Sequence, residues 1–276
     1  MSTFPMTTIG GIEVSRVCCG TNPFNGISHF SHARDMHMKE YYSVEHVVEV
    51  LEACRQEGIN AIVGPAWESN YQMIHEHERQ TGYHWVWICT PSGRTAKDVL
   101  PGVKWCADHG VSICLPHPDY TDSNLLIAEN RIVGVEEILT TIRDCGMVPG
   151  LSTHRPETIV ISDKVGYDVE TYILPFNSAG FLCPVETDWT TRVIRDTPKP
   201  MVCIKPLAAG RLMPPTGLSF VLNNNKPIDT VAIGFLGAVE AKEDIGIARD
   251  IIERRQAEVE LTYSRSKAVL AQKTTT

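Results

Sequence analysis

The sequence predicts an α/β protein, a (β/α)8 TIM barrel preceded by an N-terminal β-hairpin, and three observations lead to it. The chain has 276 residues, close to the roughly 250 that one such barrel needs. Short apolar runs alternate with longer stretches of helical periodicity, as expected for parallel strands joined by helices. No linker rich in Gly, Ser or Pro divides the chain, so we expect a single domain over residues 1–276.

The individual elements follow from this alternation. The hairpin is predicted over residues 8–16, because Gly10-Gly11 suits a tight turn. Apolar runs predict eight barrel strands at 17–20, 60–63, 85–89, 111–115, 148–152, 169–174, 201–204 and 230–233. Ser43 is the expected N-cap of a helix that ends before Gly58, and further helices are predicted at 95–107, 136–145 and 238–254. The Thr-rich tail at about 260–276 has no apolar stripe, so we expect it to attach loosely.

Composition narrows the function. The formal net charge of −8 argues against nucleic acid and anionic membranes as partners, because phosphate binding needs clustered Lys and Arg. A small-molecule substrate is expected instead, and a homo-oligomer is compatible with the sequence. The chain shows no secretory-type leader and no run of the roughly 20 apolar residues of a membrane helix, so we expect a cytoplasmic protein. The nine cysteines include no Cys-x-x-Cys pair, which disfavours structural zinc.

Candidate binding residues lie where the predicted strands end. In such barrels the chemistry occupies the loops after the carboxyl ends of the strands, and here these loops are rich in polar and turn-forming residues. The residues predicted to contact a substrate are Asn22, Asn25, Trp67, Asn177 and Arg211. Trp67 could stack on a sugar ring, and it fits packing at the rim equally well.

Five of these segments share their order and spacing with one known family. They are Gly20-Thr21-Asn22-Pro23-Phe24, Gly150-Leu151-Ser152-Thr153-His154, Pro175-Phe176-Asn177, Lys205-Pro206-Leu207-Ala208-Ala209-Gly210, and the closing strand 228–234 with the helix that carries Glu240 and Asp244. Together they resemble the aldo-keto reductase superfamily along nearly the whole chain. The resemblance implies a barrel that transfers hydride from NADPH to a carbonyl, using a Tyr acid assisted by Lys, Asp and His.

The four family residues are mostly absent when the motifs are compared position by position. Val63 stands where the family has Asp, Glu68 falls at or near the Tyr, and Pro91 stands where the family has Lys. The family's His is matched by His117. Without a Tyr–Lys pair there is no phenol of lowered pKa to protonate the alkoxide, so the usual reductase mechanism is not expected. Tyr71 is either a displaced acid or a tyrosine with a structural role, and we favour the latter.

A metal site is one alternative. His117, His154 and Glu186, with Asp188 as a substitute carboxylate, follow neighbouring predicted strands. Two imidazoles and a carboxylate at one barrel mouth could hold Zn or Mn with open coordination positions, and such a metal polarises a carbonyl or activates water. The competing interpretation is that Glu186-Thr187-Asp188 caps the following helix.

Other histidines lie on the loop after the first strand and on a charged helix. His29, His32 and His37 belong either to a lid that folds over the mouth or to a solvated loop, and we favour the solvated loop. The segment 74–79, which contains His75 and His77, is predicted to lie on a solvated helix face.

Catalytic roles are therefore predicted for His117, Glu68 and Lys205. Glu68 could exchange protons with a substrate, or it could be a first-turn acid favoured by the helix dipole. Lys205, with Arg211, is predicted to bind an anionic group. The leading hypothesis is proton-transfer or metal-assisted chemistry of isomerase or lyase type on a small hydroxylated carbonyl compound. The alternatives are an NADPH-dependent oxidoreductase with a rearranged acid and an inactive barrel that serves as a binding module.

Overall fold

Eight parallel strands close into a barrel, which confirms the predicted fold class. The computed structural model describes residues 4–254. The strands, in chain order, are β1 (Met6–Ile9), β2 (Ile12–Ser15), β3 (Val17–Gly20), β4 (Ala61–Pro65), β5 (Val86–Thr90), β6 (Ile113–Cys114), β7 (Leu125–Leu126), β8 (Arg131–Ile132), β9 (Val148–Ser152), β10 (Thr171–Pro175), β11 (Met201–Ile204) and β12 (Thr230–Ile233). The barrel is formed by β3, β4, β5, β6, β9, β10, β11 and β12, with β12 paired to β3. The tail predicted at about 260–276 lies outside the described residues.

Helices surround the barrel. They are α1 (His32–Tyr41), α2 (Val44–Gln56), α3 (Glu68–Thr81), α4 (Ala96–Asp108), α5 (Pro118–Thr121), α6 (Val135–Asp144), α7 (Pro156–Val165), α8 (Thr187–Asp196), α9 (Pro214–Asn224) and α10 (Ala238–Ile252). Short polar side chains cap α2 and α4, and the cap at Ser43 is the one that the sequence predicts. The Ser43 side chain accepts from the His46 backbone N–H, and Thr95 forms a reciprocal capping box with Asp98.

The antiparallel β1–β2 hairpin lies against the interior of the barrel. Its residues Ile9 and Val14 are fully buried and pack in one cluster with barrel residues such as Cys18 and Ile113. Gly10 has a φ of 54°, and a Cβ at this position would lie 2.4 Å from Val148 Cγ1. Only glycine fits both the backbone conformation and the space, so the hairpin can approach the barrel closely.

Alternation along the strands produces two apolar layers. Cys18 points inward, whereas Val17 and Cys19 pack outward against the helices, as expected for side chains that alternate across a strand. The cysteines of the described chain are all free thiols, and all but Cys145 and Cys183 are buried, where they pack as small apolar side chains.

The prediction for segment 74–79 is right for His75 and wrong for His77. His77 is fully buried, because its ring completes a polar chain inside the helical layer. The Trp85 indole N–H donates to His77 Nδ1 at 3.1 Å, and His77 Nε2 lies 3.2 Å from Glu52. Burying an imidazole whose two nitrogens are both hydrogen-bonded costs the folded state little free energy. The charged residues around His77 in the sequence indicate a solvated helix face, and for His77 that indication is wrong.

None of the helices within residues 4–254 combines the length and the apolar character that a membrane crossing requires.

Candidate active site

A cavity of about 820 Å³ opens at the carboxyl ends of the barrel strands. This volume falls within the usual range for small-molecule sites. Its floor is apolar, with Val63, Ile173, Ile204 and Ala232 from the barrel interior. Its walls carry short polar side chains from the strand ends, namely Thr21, Asn22, Thr90, Ser92 and Ser152. An apolar floor with polar walls fits a small compound that carries several hydroxyl or carbonyl groups.

His154 follows β9 and lines the cavity. Its Nδ1 lies 3.2 Å from Asp122 Oδ2. Asp122 is itself held by the Thr153 hydroxyl at 2.5 Å and by the backbone N–H of His154. A carboxylate accepts hydrogen bonds, so these contacts assign the proton of the neutral ring to Nδ1. His154 Nε2 then carries a free lone pair, as a general base requires.

His117 follows β6, which pairs directly with β9, and it also lines the cavity. Its Nδ1 lies 3.2 Å from the Asp119 carboxylate and 3.2 Å from the backbone N of Asp119. Burial lowers the pKa of His117, His154 and Lys205 lower it further, and only Asp119 opposes this effect. A carboxylate thus lies beside Nδ1 of both imidazoles, Asp119 at His117 and Asp122 at His154. The cavity therefore holds two neighbouring imidazoles that can exchange protons with a bound compound.

Lys205 directly follows β11 and lines the same cavity. Burial lowers its pKa to about 8, and the nearby Cys183 thiol opposes the shift. No hydrogen bond or ion pair joins its ammonium group to any side chain or backbone group of residues 4–254. Its backbone is in the left-handed region with a φ of 60°, and Ala208 and Ala209 just after it also have positive φ. Such strained non-glycine residues are typical of functional sites.

The segment between β3 and α2 covers part of the mouth and contains helix α1. Of its histidines, His29 lines the cavity, whereas His32 and His37 are exposed on α1. Burial, Lys205 and His154 lower the pKa of His29. Arg34 of α1 also lines the cavity and stacks on Phe30, with 4.5 Å from its guanidinium carbon to the ring centroid. The segment is thus a covering helix and loop, and only His29 of its histidines reaches the cavity.

The far end of the cavity, beside α10, is acidic. Glu240, Glu243 and Asp244 line it. Asp244 is 1% exposed, and neither carboxyl oxygen has a hydrogen-bond partner. Burial, with help from Glu240 and Glu243, raises its pKa to about 7. Glu240 accepts from the backbone N–H of Leu236 at the start of α10, so a carboxylate already occupies the place where a helix N-terminus would bind an anion.

Several predicted site residues lie outside the cavity lining. Glu68 is an exposed residue of the first turn of α3 and accepts from Gln72, so the helix-dipole interpretation fits and a catalytic role does not. Asn25 bonds to the Thr21 carbonyl and to Asn70. Asn177 is buried and holds a turn through two bonds to Phe181.

Arg211 also stands outside the lining and supports the covering segment. Its guanidinium donates to the carbonyls of His29 and Ala208 and stacks over Phe181 at 4.4 Å. Of the five residues predicted to bind substrate, Asn22 and Trp67 line the cavity. Trp67 is 42% exposed, which places it at the rim.

The predicted metal triad is not formed. Glu186 is the N-cap residue of α8 and is exposed, and neither it nor Asp188 lines the cavity with His117 and His154. Among residues 4–254 no group of three or more His, Cys, Asp or Glu side chains could hold a metal ion. The loop after β10 is long enough to carry its acidic residues away from the mouth. The order of the strands is therefore not sufficient to predict the position of Glu186.

The tyrosine of the family pattern has no counterpart in the cavity. Within the described chain no tyrosine lines it. Tyr71 instead packs edge-on against His109 with 4.5 Å between ring centroids, in the layer between α3 and α4. Val63 lines the floor, as expected for the position of the missing Asp. The displaced-acid hypothesis for Tyr71 is therefore wrong.

Asp122 is the functional candidate that sequence reasoning missed. It is 32 residues from His154 and meets it only because β6 and β9 are neighbours. A weak signal exists, since Asp122 lies one helical turn after the predicted His117. Glu240 and Asp244 belong to the family-like segments of the sequence, but nothing in the sequence indicates that they line the cavity.

Comparison with known proteins supports the fold. No protein-family model and no curated protein matches the sequence. Solved structures do match: a Pseudomonas aeruginosa protein described provisionally as an aldo-keto reductase is 16% identical, with a TM-score of 0.68 over 91% of this chain and 97% of that one. The glycerol dehydrogenase of Gluconobacter oxydans is 14% identical, with a TM-score of 0.62 over 94% and 99%.

A holo-form aldo-keto reductase of Bacillus halodurans is 11% identical, with a TM-score of 0.60 over 93% of this chain and 98% of that one. The chain therefore has the aldo-keto reductase fold, as the sequence motifs predict. At such low identities a similarity of structure defines the fold, and the reaction has to follow from the side chains of the cavity.

Proposed function

We propose that this protein is an enzyme that moves protons on a small hydroxylated carbonyl compound, in an isomerase or lyase type of reaction. One observation carries the proposal: two neighbouring imidazoles, each with a carboxylate beside its Nδ1, face one cavity together with the amine of Lys205. Imidazoles are the side chains most often used as general acids and bases.

The chemistry follows from these groups. The cation of Lys205 faces the carbonyl oxygen and stabilises negative charge on it. His154 Nε2 removes a proton from the carbon next to the carbonyl, while Asp122 stabilises the imidazolium that forms. Return of a proton to the same carbon from the opposite face gives an epimer. Return to the former carbonyl carbon gives an aldose–ketose isomer, with His117 carrying the proton of the neighbouring hydroxyl to the former carbonyl oxygen. Cleavage of the adjoining carbon–carbon bond would make the reaction a lyase.

The convergence of His117, His154 and Lys205 argues against an inactive barrel, whose polar residues have no reason to meet. The metal-assisted form of the hypothesis is not retained, because its third ligand lies elsewhere. A small molecule remains the proposed partner, consistent with a closed cavity floor and the net charge of −8.

An oxidoreductase is the second candidate, favoured by the names of the structural neighbours. A nicotinamide dinucleotide would supply hydride, so the fit of the cavity to it matters. The acidic end fits the additional phosphate of NADPH poorly, since no Lys or Arg of residues 4–254 forms an ion pair with Glu240, Glu243 or Asp244. The unpartnered Asp244 would accept from hydroxyl or amino groups, so NADH fits this end better than NADPH. Arg34 and Lys205 are the cations that could face its phosphates.

Deuterium exchange tests the first proposal without knowledge of the natural substrate. Glyceraldehyde, dihydroxyacetone and pentose and hexose sugars are incubated with the protein in deuterium oxide, and loss of the proton next to the carbonyl is followed by NMR. We expect catalysed exchange for at least one compound, lowered by about 10²–10⁴-fold in His154→Gln. His84→Gln, at an exposed site away from the cavity, is the matched control. Equal exchange by His154→Gln and the wild type would refute the assignment.

A further inference from the structure

The amine of Lys205 is unusual among the charged groups of the cavity. It lies at a strained backbone position with a φ of 60°, partly buried above the apolar floor. No carboxylate, carbonyl or hydroxyl group of the described residues bonds to it. A lysine that serves only to bind an anion is normally fully solvated or paired when empty, whereas Lys205 is half-buried and has no such partner.

We propose that Lys205 forms a covalent Schiff base with the carbonyl carbon of the substrate. This inference rests on the proposed function, because it requires a carbonyl compound in the cavity. The geometry carries it: an unpartnered primary amine lines the same cavity as two imidazoles. His154 follows β9 and Lys205 follows β11, with only β10 between them, so both groups lie on the same part of the barrel mouth.

The step balances without a further reactant. The neutral amine of Lys205 attacks the carbonyl carbon, and one of its two protons passes to the carbonyl oxygen, with His117 as the relay, to give a carbinolamine. One proton taken from the solvent lets this oxygen leave as water, and a protonated imine remains between Nζ and the former carbonyl carbon. The protonated imine withdraws electrons more strongly than the carbonyl, so His154 removes the proton of the neighbouring carbon more easily and an enamine forms. Return of a proton to that carbon restores the imine, and water then hydrolyses it to release the product and the amine of Lys205.

The surroundings keep the amine reactive at neutral pH. His29 and His117 are its titratable neighbours, and Cys183 is the group among residues 4–254 that favours the charged form. With a pKa of about 8, roughly a tenth of the amine is neutral at pH 7, against less than about a thousandth for an ordinary lysine of pKa ~10.4. Desolvated lysines of this kind are the ones that act as nucleophiles.

Reductive trapping tests the inference. The wild type is treated briefly at pH 7 with dihydroxyacetone and sodium cyanoborohydride, and the modified lysines are located by peptide mass spectrometry. We expect modification of Lys205 at least about tenfold faster than of the exposed Lys104 and Lys242. Its rate should reach half of its maximum near pH 8. Modification of Lys205 no faster than of those two lysines would overturn the inference.

Two variants separate this inference from the proposed function. Lys205→Arg keeps a cation but has no amine that can form an imine. Lys205→Met has neither the cation nor the amine. We expect both to lose deuterium exchange by more than about 100-fold, with circular dichroism unchanged. If Lys205→Arg keeps exchange within about threefold of the wild type, the covalent step is refuted and the proton-transfer function stands. Trapping at Lys205 without exchange of any compound would instead refute the proposed function.

Discussion

The buried carboxyl of Asp244 gives the sharpest quantitative prediction. Its pKa is raised from an ordinary 3.8 to about 7, chiefly because burial penalises the charged form. Each pKa unit corresponds to about 1.36 kcal/mol, so the ionised group costs the folded state about 4 kcal/mol. A carboxyl with a raised pKa favours folding at low pH. This contribution is lost between pH 3.8 and about pH 7.

Asp244→Asn removes the titration and keeps the shape of the side chain. The variant should have a higher free energy of unfolding than the wild type, and this difference should be about 3 kcal/mol larger at pH 8.5 than at pH 5. The reason is that Asp244 of the wild type is fully ionised in the folded state only at the higher pH. Urea denaturation followed by fluorescence at both pH values measures it. Glu243→Gln, at an exposed neighbour, is the control and should show little pH dependence. A gain for Asp244→Asn that is the same at both pH values would refute the reasoning.

Three further predictions follow from the cavity. Asp122→Asn should lower deuterium exchange by about 10²–10⁴-fold with the fold intact, because His154 loses the group that fixes its tautomer. A loss below threefold would contradict the assignment of Asp122 as the partner of His154. Burial lowers the pKa of His117, so nitrogen NMR at pH 6.5 should show mostly the neutral ring, and a ring that is half or more protonated would be inconsistent. Gly64→Ala should destabilise the protein by about 1–3 kcal/mol, because its Cβ would lie 2.1 Å from Thr21 Oγ1, and Thr21→Ala should restore at least half of the loss in urea denaturation.

Local signals in the sequence were sufficient for most of the fold. The caps Ser43 and Thr95 and the apolar runs mark element boundaries within a few residues, because capping and alternation are properties of adjacent residues. The two-residue strands β7 and β8 were missed, since a bridge of this length has no periodicity. Helix α1 was missed as well, although Ser31 accepts from the Arg34 N–H as an ordinary N-cap.

The candidate site was predictable only where the strand end itself carries the residue. His117, His154 and Lys205 follow β6, β9 and β11 closely, so the direction of the strand places them in the cavity. Glu186 and Arg211 lie farther along their loops, and the loop path, which has no sequence signal, carries them elsewhere. The role of Asp122 depends on its contact with His154, which lies beyond a different strand. The burial of Asp244 without a hydrogen-bond partner depends on packing by several elements.

One measurement tests the central claim, that the cavity moves protons and does not require hydride. The compounds that exchange are incubated with the protein in deuterium oxide with NADH or NADPH, while NMR follows exchange and absorbance at 340 nm follows the nucleotide. We expect deuterium incorporation at the same rate with and without nucleotide, and we expect no oxidation of NADH or NADPH. Oxidation of either nucleotide with equivalent reduction of the carbonyl compound, and no exchange in its absence, would contradict it.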